Sequence, residues 1–166
     1  MRSRGFTLVE LLVVVVIVVI MITLAGAQLM RSPGEAVRDE SERLALLLQS
    51  AREEAILQGR VFAFGAGRES YRFLRLERDG KLKIAKDDEL LRPRQLALGV
   101  AIESLRIEGA DGNADPGPGG NAQQQQGLVF LPSGDLPAFR ILLAGGGARW
   151  SVVGAPDGTI RAQAGS

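Results

Sequence analysis

Residues 1–30 read MRSRGFTLVELLVVVVIVVIMITLAGAQLM. From Leu11 to Met30 the only polar side chains are Thr23 and Gln28, and none is charged. As a helix rising ~1.5 Å per residue, that stretch spans ~30 Å, the thickness of a bilayer's hydrocarbon core. Arg2 and Arg4 precede it, a placement that holds the N-terminus on the cytoplasmic side. One carboxylate, Glu10, stands at the start of the run. An ionised carboxylate in a bilayer is costly unless paired, so an acid in this position asks for a role. A plain signal anchor leaves it unexplained. So does a cleaved secretory signal cut after Ala25-Gly26-Ala27, because such a signal has a clean apolar core directly after its basic start. Here Gly5, Phe6, Thr7 and Glu10 intervene.

The whole chain has 166 residues, enough for one modest domain and an appendage. Its apolar residues concentrate in the first thirty positions, and its net charge is +1. Beyond Arg60 there are 13 Lys and Arg against 12 Asp and Glu, so no bulk basic excess drives nucleic-acid binding. The chain has no cysteine, which excludes disulfides. It has no histidine either, which removes the usual general base, the Ser-His and Cys-His nucleophile pairs, and most zinc or iron sites. An enzyme built on this chain would have to work with carboxylates, Lys, Tyr or backbone groups.

Gly5-Phe6-Thr7-Leu8-Val9-Glu10, after a short basic leader and before about twenty apolar residues, resembles the class III signal of type IV pilins and pseudopilins. The resemblance implies cleavage by a prepilin peptidase between Gly5 and Phe6, N-methylation of Phe6, and a role in assembly for Glu10. Elementary electrostatics agrees. Cleavage exposes a positive amine on Phe6 one turn from Glu10, and that amine can neutralise the carboxylate within one chain or on a neighbouring one.

Arg31-Ser32-Pro33-Gly34-Glu35 is the first punctuation, with Ser32 and Glu35 spaced as a capping box and Pro33 suited to a first helical position. A kink or short break is expected there, then a helix to about Gln58 with Gly59 as its stop. Val37, Leu44, Leu47, Leu48, Ala51 and Ala55 share one face at helical spacing, while Arg38, Glu42, Arg52 and Glu53 lie mostly elsewhere. From Arg60 the texture becomes short β-like runs separated by turn residues: 61–66, 70–78, 81–85, one or two strands in 95–108, then 128–131, 139–144, 149–153 and 159–162. Asp79-Gly80 suits a type I′ hairpin turn. Val100, Ile102 and either Leu105 or Ile107 are expected inward. Residues 109–127, rich in Gly, Pro and Gln, read as a mobile loop.

The rest of the chain narrows the family. LLLQSAREEAILQG, residues 46–59, and Phe130-Leu131-Pro132-Ser133-Gly134-Asp135, with its following strand, resemble the H-type minor pseudopilins (GspH) of type II secretion systems. The ending from Trp150 to Ile160 is compatible, and it lacks the cysteine pair of some type IV pilins.

Other candidate features read as structure. Asp111, Asn113 and Asp115 alternate like the start of a calcium loop, but Pro116 and Ala122 stand where that loop needs Gly and Glu. Asp87-Asp88-Glu89 reads as an exposed acidic turn. Gly65-Ala66-Gly67 and Gly145-Gly146-Gly147 lack a phosphate loop's setting and read as turns. Arg72, Arg75, Arg78, Lys81, Lys83 and Lys86, near Tyr71 and Phe73, form a locally basic hairpin. It is the one feature favouring DNA, diluted by Glu69, Glu77, Asp79 and residues 87–89.

The expectation is therefore an α+β protein of pilin type, a long N-terminal helix, first transmembrane and then amphipathic, packed on an antiparallel β-sheet domain. Its parts are a cleaved leader 1–5, a transmembrane and assembly helix 6–30, an amphipathic periplasmic helix 31–59, and a β-rich domain 60–166. The resemblance implies a non-enzymatic minor pseudopilin, near the tip of a pseudopilus, anchored singly in the bacterial inner membrane with its C-terminal domain in the periplasm. Prepilin peptidase, other major and minor pseudopilins and inner-membrane lipid are the implied partners. No cofactor, metal, small-molecule substrate or nucleic acid is expected. The rivals are a FimT-like minor pilin of a type IV pilus taking up DNA through the basic hairpin, and a tethered periplasmic enzyme or binding module.

Overall fold

A computed structural model describes residues 8–29, 33–86, 88–109 and 127–165. The chain forms two compact units, Met1–Ser32 and Pro33–Ser166.

In the first unit, α1 runs Leu8–Leu29. Its sequence holds eight consecutive β-branched residues, Val13–Ile20, which by intrinsic preference favour strands. A helix wins here because it satisfies every backbone donor and acceptor of an apolar segment internally. Side chains are described through Met21, and those from Leu8 onward are exposed, the least of the large apolar ones at 47%. Among the described residues no helix is long and apolar enough to cross a membrane.

In the second unit, α2 spans Pro33–Gln58, so Pro33 does open the helix. The expected break and the Ser32 cap fall on residues 30–32, outside the described residues. At the other end Gly59 takes φ +60°, and the amides of Gly59 and Arg60 donate to the carbonyls of Ile56 and Ala55 at 3.4 and 3.1 Å. These are the two bonds of a Schellman cap, and the left-handed turn is why a glycine stands there. Val37, Leu44, Leu47, Leu48, Ala51 and Ala55 are all buried, as their spacing requires.

Nine strands follow: β1 Phe62–Ala66, β2 Ser70–Leu76, β3 Leu82–Ile84, β4 Arg94–Gln95, β5 Ala101–Ile107, β6 Leu128–Phe130, β7 Phe139–Gly145, β8 Ala148–Gly154 and β9 Ile160–Ala164. They form two antiparallel sheets. One has the order β3-β2-β1-β6 with β4 also on β2, and the other β5-β7-β8-β9. Both contribute to one core over α2. Phe62, Phe64, Tyr71, Phe73 and Phe130 come from the first sheet, and Ile102, Leu105, Ile141, Leu143 and Val152 from the second. The ring centroids of Phe64 and Phe73 lie 5.4 Å apart, a tilted pair.

Two local expectations are corrected. The β2–β3 hairpin forms, but Asp79 does not take the positive φ that a type I′ turn needs. The Gly80 amide instead donates to the Glu77 carbonyl at 2.9 Å, the Glu77 amide to that of Lys81, and Gly80 alone is left-handed at φ +75°, giving a three-residue loop. Gly65 and Ala66 belong to β1 rather than to a turn, because their backbones pair with Arg72 and Tyr71. In β5 the register shifts between Ile102 and Ser104. That bulge at Glu103 lets Ile102 and Leu105, three apart, both face the core; Ile107 is half-buried.

Candidate assembly elements

Glu10 sits in the first turn of α1, where the helix dipole favours a negative charge, and it is exposed among exposed apolar side chains. Gly5 and Phe6, the expected processing pair, lie outside the described residues.

On α2 the structure reveals two polar devices that sequence reading missed. Arg52, expected on the outer face, is half-buried, and its Nε donates to the Gly134 carbonyl at 3.0 Å. Its guanidinium also lies against Gly158, where a Cβ would come within 2.5 Å of Nη2. One side chain thereby joins the helix to two turns, Pro132–Asp135 after β6 and Ala155–Gly158 after β8. Asp157 in the second turn is held below the usual carboxylate range, chiefly by the Thr159 amide and more weakly by Arg161 and Arg52.

The second device is buried. Glu40 is 2% exposed and pairs with Arg43 at 3.1 Å. Beneath it lies Tyr71, whose cross-strand partner on β4 is Arg94. Burial first, and the Glu40 charge second, push the Tyr71 hydroxyl up to about 12. Glu40 Oε2, the Tyr71 hydroxyl and Arg94 Nε have no hydrogen-bond partner among the described residues. The signal was present: Glu40 follows Val37 by three and precedes Leu44 by four, which puts it on the apolar stripe despite its charged neighbours.

The basic hairpin resolves as a solvated surface with its aromatics inward, since Tyr71 and Phe73 are buried. Arg75 pairs with Glu77 at 2.7 Å and Lys83 with Asp79 at 3.1 Å, and both carboxylates are held below their ordinary range by those hydrogen bonds. Asp88 accepts the amides of Leu90 and Leu91, each at 2.9 Å, as a turn residue. Asp87 and the calcium-like spacing at 111–122, with the rest of the expected mobile loop from 110 to 126, lie outside the described residues. Among the described residues no cluster of acidic side chains could hold a metal ion.

Comparison with known proteins agrees with this architecture. Residues 40–158 match the family described as type II transport protein GspH, and residues 1–26 match the prokaryotic N-terminal methylation motif. The chain is 34% identical over 146 residues to the type II secretion system protein H of Pseudomonas aeruginosa, covering 86% of this chain and 83% of that one. Its fold is similar to the crystal structure of the minor pseudopilin EPSH from the type II secretion system of Vibrio cholerae, with TM-score 0.65 and 21% identity over 80% of this chain and 96% of that one. It is also similar to the solution structure of E. coli GspH, with TM-score 0.60 and 16% identity over 81% and 94% of the two chains. The family match across most of the second unit, together with the methylation motif ahead of it, shows that this chain belongs to the GspH family of type II transport proteins.

Proposed function

We propose that the chain is a minor pseudopilin of a type II secretion system, a structural subunit of the periplasmic pseudopilus that helps export folded proteins. The observation that carries this reading is the union, in one chain, of the methylation motif at 1–26 with the GspH match at 40–158. Its work is assembly, and the only covalent chemistry is done to it. Prepilin peptidase cuts between Gly5 and Phe6 and the new Phe6 amine is methylated. Residues 6–30 anchor the subunit in the inner-membrane lipid and pack among other major and minor pseudopilins, while 31–59 and 60–166 stand in the periplasm. A helix whose large apolar side chains from Leu8 to Met21 are all exposed needs lipid or other helices around it, which supports the same reading. A position near the tip of the filament belongs to the proposal.

Glu10 then acts as the charge that selects how helices pack, since its partner is the amine that cleavage creates. N-terminal mass analysis of the mature protein tests the processing: the expected product begins at methylated Phe6, and a start at Gln28 overturns it. Glu10→Ala is expected to insert and be cleaved normally yet to fall out of the pseudopilus in cross-linking assays and to reduce secretion. Normal incorporation of that variant would remove the role assigned to the carboxylate.

A further inference from the structure

Three arginines stand in one row on the face of the second sheet turned away from α2. Arg106 on β5 is opposite Arg140 on β7, Arg140 is opposite Val153 on β8, and Val153 is opposite Arg161 on β9. All three arginines are exposed, whereas their strand neighbours Leu105, Ile141 and Ile160 are buried beneath the same sheet. None of the three is in an ion pair among the described residues. Arg149, on the same face, differs in this respect, because Glu103 neutralises it at 3.3 Å.

Like charges directly opposite one another in an antiparallel pair are destabilising, so the Arg106–Arg140 pair works against the fold that carries it. Beside this pair lies a shallow open hollow lined by Arg106, Arg140, Ile107, Phe139, Val153 and Glu108. Its character is mixed: two arginines and the Glu108 carboxylate, with half-buried Val153 as the apolar residue on the arginine face. A guanidinium fork matches a carboxylate with two parallel hydrogen bonds, and Val153 matches the aliphatic part of a side chain. A polyphosphate backbone fits less well. Glu103 and Glu108 flank the row on β5 and its following turn, and the chain has a net charge of only +1, so a long run of phosphates meets acid on both sides.

We propose that this arginine row is a docking surface for an acidic polypeptide segment, which inserts a carboxylate between Arg106 and Arg140 and rests apolar atoms on Val153. Arginine is one of the residue types enriched at binding hot spots.

The test uses the full chain in a neutral detergent and a fluorescein-labelled leucine-containing peptide whose acidic residues are confined to one central pair of glutamates, followed by anisotropy at low salt. The double variant Arg106→Gln/Arg140→Gln is expected to weaken binding at least about tenfold, as loss of two charge-assisted contacts should. Arg106→Lys/Arg140→Lys keeps the charge but not the fork geometry and is expected to fall between that variant and the original. Lys81→Gln/Lys83→Gln, on the first sheet's hairpin, leaves affinity unchanged. The glutamine variant should melt no lower than the original, because a like-charge pair has been relieved. Equal affinity in the Arg106/Arg140 variant overturns the proposal. So does failure of the peptide to bind, or stronger competition by duplex DNA or by phosphatidylglycerol mixed into the micelles at equal charge.

Discussion

Tyr71 is the sole tyrosine of the chain, so its ionisation can be followed by ultraviolet absorbance without interference from another phenol. Its folded pKa of about 12 lies above the ~10 of an unfolded tyrosine. The folded state thus holds the proton more tightly. The resulting stabilisation is present below pH ~10 and is lost as pH rises through the folded value. A titration midpoint near 10 in the folded protein would refute the buried environment, and Glu40→Gln should lower the midpoint part of the way, since burial is the larger cause. Arg52 makes the second prediction at this scale. Arg52→Ala leaves the Gly134 carbonyl without its donor and removes the guanidinium from Gly158, so a loss of roughly 1–3 kcal/mol is expected in urea unfolding. Arg52 does not announce itself in the sequence, because α2 carries similar charged residue types on its solvent face and beside its core face, whereas the spacing of Glu40 from Val37 and Leu44 already places that carboxylate on the apolar stripe.

The elements themselves were largely legible, because turn residues and period mark their limits. Gly59 is the clearest case: a helix of 26 residues ends where a left-handed residue is required. Gly59→Ala is expected to cost about 1–2 kcal/mol in thermal or urea unfolding, since it adds the Cβ penalty of that conformation with no neighbouring atom within 4 Å to blame. A change under a few tenths would mean that the cap relaxes freely. What escaped reading was finer than the elements. The β5 bulge displaces the inward pattern by one residue through pairing with β7, and Asp79-Gly80 folds into a three-residue loop rather than a two-residue turn. In both cases the choice is made by the partner strand, which a local window does not contain.

At the scale of the folded unit Pro33–Ser166, one helix serves two sheets. Leu48 is fully buried in the core to which both sheets contribute. Leu48→Ala is expected to cost ~2–5 kcal/mol. It should also move the transitions seen through Trp150 on the second sheet and Tyr71 on the first by the same amount, because they report one cooperative core. Separate midpoints would show two independently melting sheets. The sequence by itself carried the apolar run with Glu10 as its one acidic residue, the Gly5-Phe6 pair ahead of it, the amphipathic face of α2 and the family resemblance. Such signals are local, carried by runs of consecutive residues and by fixed offsets. Tertiary structure alone decided the division of the strands into two sheets, the clasp made by Arg52 and the alignment of Arg106, Arg140 and Arg161 in one row. Each of those depends on strand register or on what packs above a helix, and residues far apart in the chain acquire a common surface only when the backbone hydrogen bonds between them have formed.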